Sequence, residues 1–559
     1  MDNTYESSNF IHNEIDEDLK RYPDLKIHTR FPPEPSGYFH IGHVKAIAID
    51  FGTAEKYGGL CNLRMDDTNP LLEKAEYVEA IKKDITWLGF KWNGRVLYGS
   101  EYFDQCYDYA VDLIKKGLAY VCDLTADEWS EYRGTLTEKG KNSPYRDRSI
   151  EENLELFEEM KSGKYPDGAK ALRGKIDMTS PNMHMRDPVF YRIMHVEHSN
   201  TGNKWCIYPM YDYAHPIQDA IEGITHSLCS IEFEGNRPLY NWVRDNVGYK
   251  EFPKQREFAR LNITYNITSK RVMREMVEKN LVSDWDDPRM PTIAGLRRRG
   301  YTPSSLLTFI EKVGVAKTYS VVDIALLEHC IKDELNKSTC RVMAVIDPVK
   351  VIITNYPEGQ TEMMESENNP GDPEAGSREI PFSREIFIDR TDFMLEPVRK
   401  YFRLSPGREV RLKNAYFITC NDFKTDTNGE VTEIYCTYDP ASKGGNSPDG
   451  RKVKGTLHWV SAEHAVAAEI RQYDRLTHLE SPSKVPRGTP VEEIFNTDSL
   501  HIFENALVEP SLADVKAGDR FQFIRHGYFC CDTDTTEDKI VFNRIVPLRD
   551  SWAKITKKG

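Results

Sequence analysis

Apolar and polar positions near the start of the chain fall into a strand, helix, strand rhythm. Ile27-His28-Thr29-Arg30-Phe31 is a short run suited to a strand, and it runs into Pro32, Pro33, Pro35 and Gly37, where proline nitrogens cannot continue a ladder. Beyond that turn Val44, Ile47, Ala48 and Phe51 recur at i, i+3, i+4 and i+7, the stripe of a helix, and Gly58-Gly59 supplies its stop. Leu60 to Met65 reads as a second strand closed by Asp66-Asp67-Thr68-Asn69-Pro70. The pattern predicts a βαβ unit. Ligands of open α/β sheets bind at the carboxyl ends of the strands, so the proline-rich turn and Asp66 are expected to face one crevice.

Residues 1–25 are charge-rich and predict a helical extension. Around 100–210 the pattern is mixed: an amphipathic stretch at 107–118, a polar loop at 133–148, a Glu-rich helix at 150–161 and then strand-like pieces, as expected of an inserted domain. Apolar and helical patterns return at 205–259, which suits a second half of the same sheet, and 261–338 reads as mainly helical, including 323–334. Beyond 340 short β-rich runs at 342–345, 349–353, 385–388, 410–419, 431–438 and 521–529 are separated by Gly, Pro, Asn and Asp, the signature of barrels or sandwiches. Residues 355–378, rich in proline and glycine, read as a long loop.

Composition narrows the class. At 559 residues the chain exceeds one core, and no apolar run approaches the ~20 residues that span a bilayer. The 74 Lys+Arg against 88 Asp+Glu leave a net charge of −14, which argues against a wholly basic nucleic-acid coat and permits a local basic surface. Mean hydropathy of −0.59 fits a soluble globular protein. The 11 cysteines show no paired C-x-x-C spacing, so no structural zinc and no metal-ligand set is expected, and reduced thiols in a cytoplasmic protein are. The start, Met1-Asp2-Asn3-Thr4-Tyr5-Glu6, lacks the features of a secretory signal.

The most specific local signal is Pro32-Pro33-Glu34-Pro35-Ser36-Gly37-Tyr38-Phe39-His40-Ile41-Gly42-His43. Two imidazoles at i and i+3 beside a helix N-terminus, where backbone N–H groups and the macrodipole favour anions, suit phosphates. Gly42 between them lets a nucleotide approach the backbone. A second signal is Ile267-Thr268-Ser269-Lys270-Arg271, whose lysine can neutralise charge building on a leaving pyrophosphate. Taken alone, the histidine pair also fits ordinary surface or N-cap histidines, and the lysine segment a solvated basic turn.

Together they resemble the H-I-G-H and K-M-S-K-S signatures of class I aminoacyl-tRNA synthetases. More narrowly, the chain resembles the bacterial-type glutaminyl-tRNA synthetases over nearly its whole length, through residues 33–38, 61–70, 132–148, 202–210, 222–229, 285–301, 344–350 and 452–461. Thr268 departs from the methionine common in that family. The resemblance implies a multidomain fold: an N-terminal extension (1–25), an α/β Rossmann-like catalytic domain (26–100 and 211–260), an inserted α+β acceptor-stem-binding domain (101–210), a helical subdomain with the Lys270 loop (261–338) and two C-terminal anticodon-binding β-barrels (339–559). It further implies a monomer using ATP with Mg²⁺ on its phosphates, L-glutamine and tRNA(Gln), with no membrane partner.

Site residues follow from the same resemblance. His40, His43 and Lys270 are the expected catalytic groups; Glu34, Gly42, Arg260, Leu261 and Ser269 join them along ATP, although Leu261 equally suits a plain core position. Arg30, Asp66, Tyr211, His215, Cys229 and Gln255 are the expected amino-acid pocket. The chemistry agrees: Asp66 can pair with the substrate ammonium or accept from a side-chain amide, Tyr211 can donate and accept, Arg30 can bind a carboxylate or carbonyl oxygen, and a neutral Cys229 favours an amide where glutamyl-specific relatives tend to carry arginine; a buried Asp–Arg pair that serves only stability is the alternative. Leu136, Arg192 and Lys317 match acceptor-stem contacts, while Gly235 departs from the aspartate common in bacterial relatives. Arg341, Arg403, Arg411, Gln522 and Arg525 match anticodon-reading positions, and Lys400, Phe402 and Lys413 replace the family's commoner Gln, Lys and Arg. Phe402 suits either stacking on a base or packing. The Arg297-Arg298-Arg299 run suits phosphate contact or a structural role. A glutamyl-tRNA synthetase of the same subclass and an inactive synthetase-like tRNA-binding protein are the alternatives; the second predicts loss of His40, His43 or Lys270, and all three are present.

Overall fold

A computed structural model describes residues 9–70, 74–445, 447, 449–482, 485–486 and 488–548. They divide into two compact units, 1–262 with 310–321 and 263–309 with 322–559. Residues 1–8, the start of the expected extension, lie outside the described residues. The remainder of that extension forms α1 (Phe10–Arg21), whose Asn9 cap accepts from the amides of Ile11 and His12 at 3.0 and 3.1 Å. Its apolar face buries Ile11 and Ile15 against Ile27, Ile49, Leu228 and Phe258, so α1 is part of the core of its unit.

In this first unit the expected βαβ element is present: β1 (His28–Phe31), α2 (Ile41–Lys56) and β2 (Leu60–Met65), with β1 and β2 parallel from His28↔Leu60 to Phe31↔Leu63. After α3 (Ala75–Trp87), β3 (Leu97–Tyr98) joins β2 in parallel. The chain then builds α4 (Phe103–Lys115), β4 (Ala119–Cys122), α5 (Ala126–Arg133), α6 (Ile150–Lys161), β5 (Ala171–Gly174), β6 (Val189–Ile193) and β7 (Ile207–Pro209), the strands forming a four-stranded antiparallel sheet. The amphipathic face of α4 explains its place: Phe103, Cys106, Ala110, Leu113 and Ile114 are buried against α6 and this sheet. Next come α7 (Tyr211–Ile221), β8 (His226–Ser230), α8 (Arg237–Asn246) and β9 (Lys254–Phe258).

The return to the first sheet is looser than the sequence suggests. β8 and β9 form their own parallel pair. β8 lies along β1 through one main-chain bond, Thr225 N to His28 O at 2.8 Å, and through side chains, chiefly Arg30 Nη1 to Leu228 O at 2.7 Å. Polar residues in the middle of β1 and β8 replace a continuous ladder with a side-chain network. The four strands still run in one direction, so their carboxyl ends share one rim.

The chain changes unit at β10 (Asn262–Ile263) and β11 (Val321–Val322). The second unit carries α9 (Lys270–Glu278), α10 (Ile293–Arg299) and α12 (Ile324–Ser338); α11 (Pro303–Val313) precedes α12, and the mainly helical reading of 261–338 holds. Two seven-stranded barrel-like sheets follow. The first has the order β21-β18-β19-β20-β14-β17-β22, from β14 (Pro348–Ile353), β17 (Glu385–Asp389), β18 (Glu409–Leu412), β19 (Phe417–Thr425), β20 (Val431–Asp439), β21 (Thr456–Leu457) and β22 (Val460–Ser461). The second has the order β12-β25-β26-β27-β23-β24-β13, from β12 (Cys340–Val342), β13 (Ala344–Val345), β23 (Val466–Tyr473), β24 (Leu500–Val508), β25 (Arg520–Phe523), β26 (Gly527–Cys531) and β27 (Ile540–Pro547), with α13 (Val491–Ile494) between β23 and β24. The first sheet is therefore inserted in sequence between two strands of the second.

Three local expectations change. Residues 355–378 are not one loop: β15 (Glu362–Glu367) pairs with β16 (Ser377–Phe382), burying Met364 and Ile380 in the first sheet's core. The runs 410–419 and 521–529 each fold as a hairpin, β18–β19 and β25–β26. Each turn holds one residue in the left-handed region, Asn414 at φ 62° and Arg525 at φ 72°. Asparagine tolerates that conformation; arginine gives no such signal in a sequence.

Candidate active site

The Pro32–Phe39 turn delivers the chain to the N-terminus of α2, where His40 is the cap residue. His40 Nδ1 accepts from the amide of Gly42 at 3.0 Å, and His43 Nδ1 accepts from the amide of His40 at 3.2 Å. Two imidazoles thus perform the reciprocal capping usually done by Ser/Thr and Glu. Because each Nδ1 is an acceptor, each neutral ring carries its proton on Nε2, the atom directed away from the helix backbone. His43 is stacked on Phe39 with centroids 4.5 Å apart, and the two imidazoles meet edge-on at 4.1 Å. A Cβ at Gly42 would stand 2.8 Å from His40 Cε1. Gly42 thus makes room for the His40 ring, a reason beyond the backbone approach that the sequence suggests.

Around this pair, Glu34 is exposed and accepts from Ser36 Oγ at 2.9 Å. Two residues past β9, Arg260 is exposed and pairs with Glu232, and Leu261 is buried. Ser269 precedes α9 and Lys270 is its first residue, so in the second unit the lysine sits at a helix N-terminus.

The amino-acid residues are organised by a buried ionic floor. Arg30 and Arg64, on adjacent strands, both reach Asp219 of α7, at 3.1 and 2.7 Å, and Arg64 also meets Glu222 at 2.7 Å. Ser227 Oγ and Tyr240 OH donate to the same Asp219 carboxylate at 2.7 and 2.8 Å. Burial works against ionising Asp219, yet Arg30 and Arg64 hold its carboxyl well below the usual range. Arg30 also donates to Leu228 O and Ser227 Oγ and meets His215 Nε2 at 2.6 Å. Only 1% exposed, Arg30 is engaged within the fold by Asp219, Leu228, Ser227 and His215.

Above this floor, burial and the flanking Arg30 and Arg64 keep His215 neutral, its pKa well below the ordinary value despite Asp219. Tyr211 stacks on His215 at 4.7 Å. Burial raises the Tyr211 phenol far above its ordinary value, with Cys229, Asp66 and Asp219 adding to the shift and Arg30 opposing it. Asp66 is half-buried at the end of β2, accepts from Thr68 Oγ1 at 2.8 Å and has its pKa raised by burial. Burial likewise raises the Cys229 thiol, which stays neutral. Gln255 is buried, its Nε2 donating to Phe233 O at 3.0 Å and Glu257 Oε1 at 2.9 Å, so its amide nitrogen is turned into the fold.

Elsewhere in this unit Leu136 is 84% exposed on the loop after α5. Arg192, half-buried on β6, reaches Asn69 Oδ1 at 3.4 Å. Lys317 lies 3.6 Å from Glu14 and over the ring of Phe10 at 4.5 Å, against α1. Gly235 O accepts from Asn182 Nδ2 at 2.8 Å.

In the second unit Arg341, Lys413 and Gln522 line one cavity of about 510 Å³ with Glu367, Asn414 and Ile524. Arg341 Nε and Gln522 Oε1 are buried there without hydrogen-bond partners, as is Arg411 Nε nearby in sequence. A second group is separate from that cavity lining: Arg525 donates to both oxygens of buried Asp392 at 2.6 Å, and Arg403 reaches the same carboxylate at 3.0 Å. Lys400 is exposed at φ 70°, and Phe402 is 50% exposed with Lys454 Nζ 5.2 Å from its ring centroid. Arg298 pairs with Asp286, Asp532 and Asp534, and Arg299 donates to Arg544 O and Ile545 O, so these two arginines have the structural role.

Sequence reasoning missed Arg64, Asp219, Ser227 and Tyr240. A usable signal was Arg64 itself, a charge in the middle of a strand otherwise suited to burial. It also missed Asp389, His458 and His526, whose ligand-type atoms lie within 4.8 Å of one another; they are scattered in sequence without motif spacing.

Residues 26–337 match the family model for tRNA synthetases class I (E and Q), catalytic domain, and residues 339–439 and 456–532 match its two anti-codon binding domain models. With the histidine-capped helix, these matches define a class I tRNA synthetase. Glutamine–tRNA ligase of Clostridium kluyveri is 56% identical over 553 residues, covering 99% of both chains, and that of Proteus mirabilis is 55% identical over 556 residues, again 99% of both. The chain belongs to the glutamine–tRNA ligase family. A glutamate tRNA ligase structure from Elizabethkingia meningosepticum aligns with 56% of this chain and 70% of its own at 19% identity and a TM-score of 0.41.

Proposed function

We propose that the protein joins L-glutamine to tRNA(Gln) at the expense of ATP. The glutamine carboxylate attacks the α-phosphorus of ATP in line, pyrophosphate leaves, and the terminal ribose 2′-hydroxyl of the tRNA takes the acyl group from the adenylate. Catalysis of the first step is positioning and charge stabilisation. His40 and His43 donate Nε2–H to the phosphates, Lys270 meets the leaving pyrophosphate, and Mg²⁺ arrives with ATP as part of that substrate. Glu34, Gly42, Arg260, Leu261 and Ser269 lie along the nucleotide.

In the amino-acid pocket Asp66 takes the substrate ammonium, and Tyr211 with neutral Cys229 faces the side-chain amide. His215 and Gln255 shape the wall, and Arg30 acts through His215 and Asp219 as a positioning residue. A carboxylate side chain finds no unoccupied guanidinium among these groups, which favours glutamine over glutamate. The four-stranded sheet of 101–210 is the acceptor-stem domain, with Leu136 as an apolar wedge and Arg192 and Lys317 beside the stem. Arg341, Arg411, Lys413 and Gln522 read one part of the anticodon, and Lys400, Phe402, Arg403 and Arg525 another.

The observation that carries this reading is the 56% identity to a glutamine–tRNA ligase spread over 99% of both chains. Its test is ATP–pyrophosphate exchange with glutamine or glutamate, each with and without tRNA(Gln). Exchange with glutamine is expected; exchange with glutamate instead overturns the specificity, and none with either overturns the activity.

A further inference from the structure

Where the two barrel-like sheets meet, Asp389 at the end of β17 faces His458, between β21 and β22, and His526, in the turn between β25 and β26. Its Oδ2 lies 2.8 Å from Nε2 of both histidines, and the imidazoles cross edge-on at 5.0 Å. Its Oδ1 accepts from the amides of Ile346 and Asp347 at 2.8 and 3.3 Å, in the chain segment that passes from one sheet to the other. The carboxylate is thereby fixed, with Oδ2 turned to the imidazoles.

The two contacts to Oδ2 are unequal. His526 Nε2 makes a hydrogen bond to it. His458 Nε2 approaches as closely but without meeting hydrogen-bond geometry, so in a residue only 1% exposed this ring nitrogen is held by the carboxylate contact alone. A buried ring nitrogen paired this imperfectly is costly. A cation bound by Oδ2 and both Nε2 atoms satisfies all three.

From this geometry we propose that Asp389, His458 and His526 form a binding site for a late first-row divalent metal ion of the Zn²⁺ type, which clasps the two sheets together. Two imidazoles and one carboxylate are the donor set such ions take, with metal–ligand distances of about 2.0–2.2 Å. A tetrahedral ion needs its ligand atoms about 3.3 Å apart, so the 2.8 Å contacts open by about half an ångström. His526 is the most accessible of the three, with 22% of its side chain exposed, so a water would supply the fourth ligand from that side. On the far side of His458, Nδ1 lies 3.4 Å from Arg525 Nη1. A metal-bound His458 carries its proton on Nδ1, so loading ends that contact and leaves Arg525 to Asp392 alone.

The test uses the full chain, stripped with chelator and desalted without ATP. It is titrated with Zn²⁺ against a chromophoric competitor, and in parallel with Co²⁺ followed by visible absorption. The expected result is one tight equivalent per chain and a four-coordinate Co²⁺ spectrum, with His526→Gln and His458→Gln each weakening binding at least tenfold. His526→Gln is the primary variant because that side chain is the least buried; a circular-dichroism melt confirms that each variant is folded. Absence of a bound equivalent, an affinity unchanged in folded His526→Gln, or thiolate-to-cobalt charge-transfer bands from the cysteines each overturn the proposal.

Discussion

The amide of His40 donates to Nδ1 of His43 at 3.2 Å, while His40 Nδ1 accepts from the amide of Gly42 at 3.0 Å. The cap therefore fixes the tautomer of both rings, and under the proposed function the same proton placement serves the phosphates. On that reading, helix stability and catalysis use opposite nitrogens of one side chain. His40→Asn keeps an acceptor where Nδ1 stood and removes the Nε2 donor. It should melt within about 1 kcal/mol of the wild type while ATP–pyrophosphate exchange falls about 10²- to 10³-fold. A His40→Asn enzyme with wild-type exchange would contradict the assigned tautomer.

Gly42→Ala addresses the same pair from the other side. The added Cβ, 2.8 Å from His40 Cε1, must push the ring off its cap. Exchange should fall at least tenfold, with KM for ATP moving more than KM for glutamine, as steady-state kinetics will show.

Asp219 compensates two buried guanidinium groups at once. Asp219→Asn leaves Arg30 and Arg64 short of one negative charge in a site closed to water, and breaking such a pair costs about 3–5 kcal/mol. Denaturant unfolding of the catalytic-domain phase should show a loss of this size. Asp219→Glu should recover part of the stability yet still raise KM for glutamine, because Arg30 and His215 are displaced.

Two groups set acid limits of different kinds. His226 is buried beside Asp18, and burial lowers its pKa from 6.5 to about 4. Between those values the unfolded chain binds a proton that the folded chain does not. The stabilisation is therefore complete above pH 6.5 and is lost as pH falls toward 4, by roughly 2 kcal/mol at pH 4.5. Unfolding midpoints at pH 7 and 4.5 should differ less in His226→Asn than in the wild type by that amount. Under the proposed function Asp66 acts on binding: its carboxyl must be ionised to hold an ammonium, and burial raises its pKa. KM for glutamine should rise on acidification, starting above the pH at which an exposed aspartate, with a pKa of about 3.9, would act.

Arg341 and Gln522 bring buried, unpartnered polar atoms to one cavity wall. If a base supplies those partners, Gln522→Ala should cost about 1–3 kcal/mol in kcat/KM for tRNA. ATP affinity measured without tRNA should stay unchanged. An equal loss with an anticodon-altered tRNA would place the contact on phosphate instead.

Much of this was legible along the chain where chemistry is local. The βαβ unit, the histidine pair at a helix start and the short β-rich runs all follow from spacing between near neighbours. Arg30 shows where that stops: its donors go to Ser227, Leu228 and Asp219, and only the fold says that they are filled. Arg525 and Asn414 show a second limit, since a continuous β-rich run conceals a hairpin when its turn uses no glycine or proline. Asp389 with His458 and His526 shows a third, because ligand-type residues gathered from three separate segments leave no spacing to recognise.

The second sheet begins at β12 and ends at β27, with the whole first sheet spelled out between β13 and β23. During synthesis the inner barrel is complete once about 460 residues have emerged. The outer one must wait for the last strand to leave the ribosome, its first two strands standing as open edges meanwhile. Premature termination after β22 would thus release an intact inner barrel attached to two orphan strands, ready-made bait for chaperones and proteases.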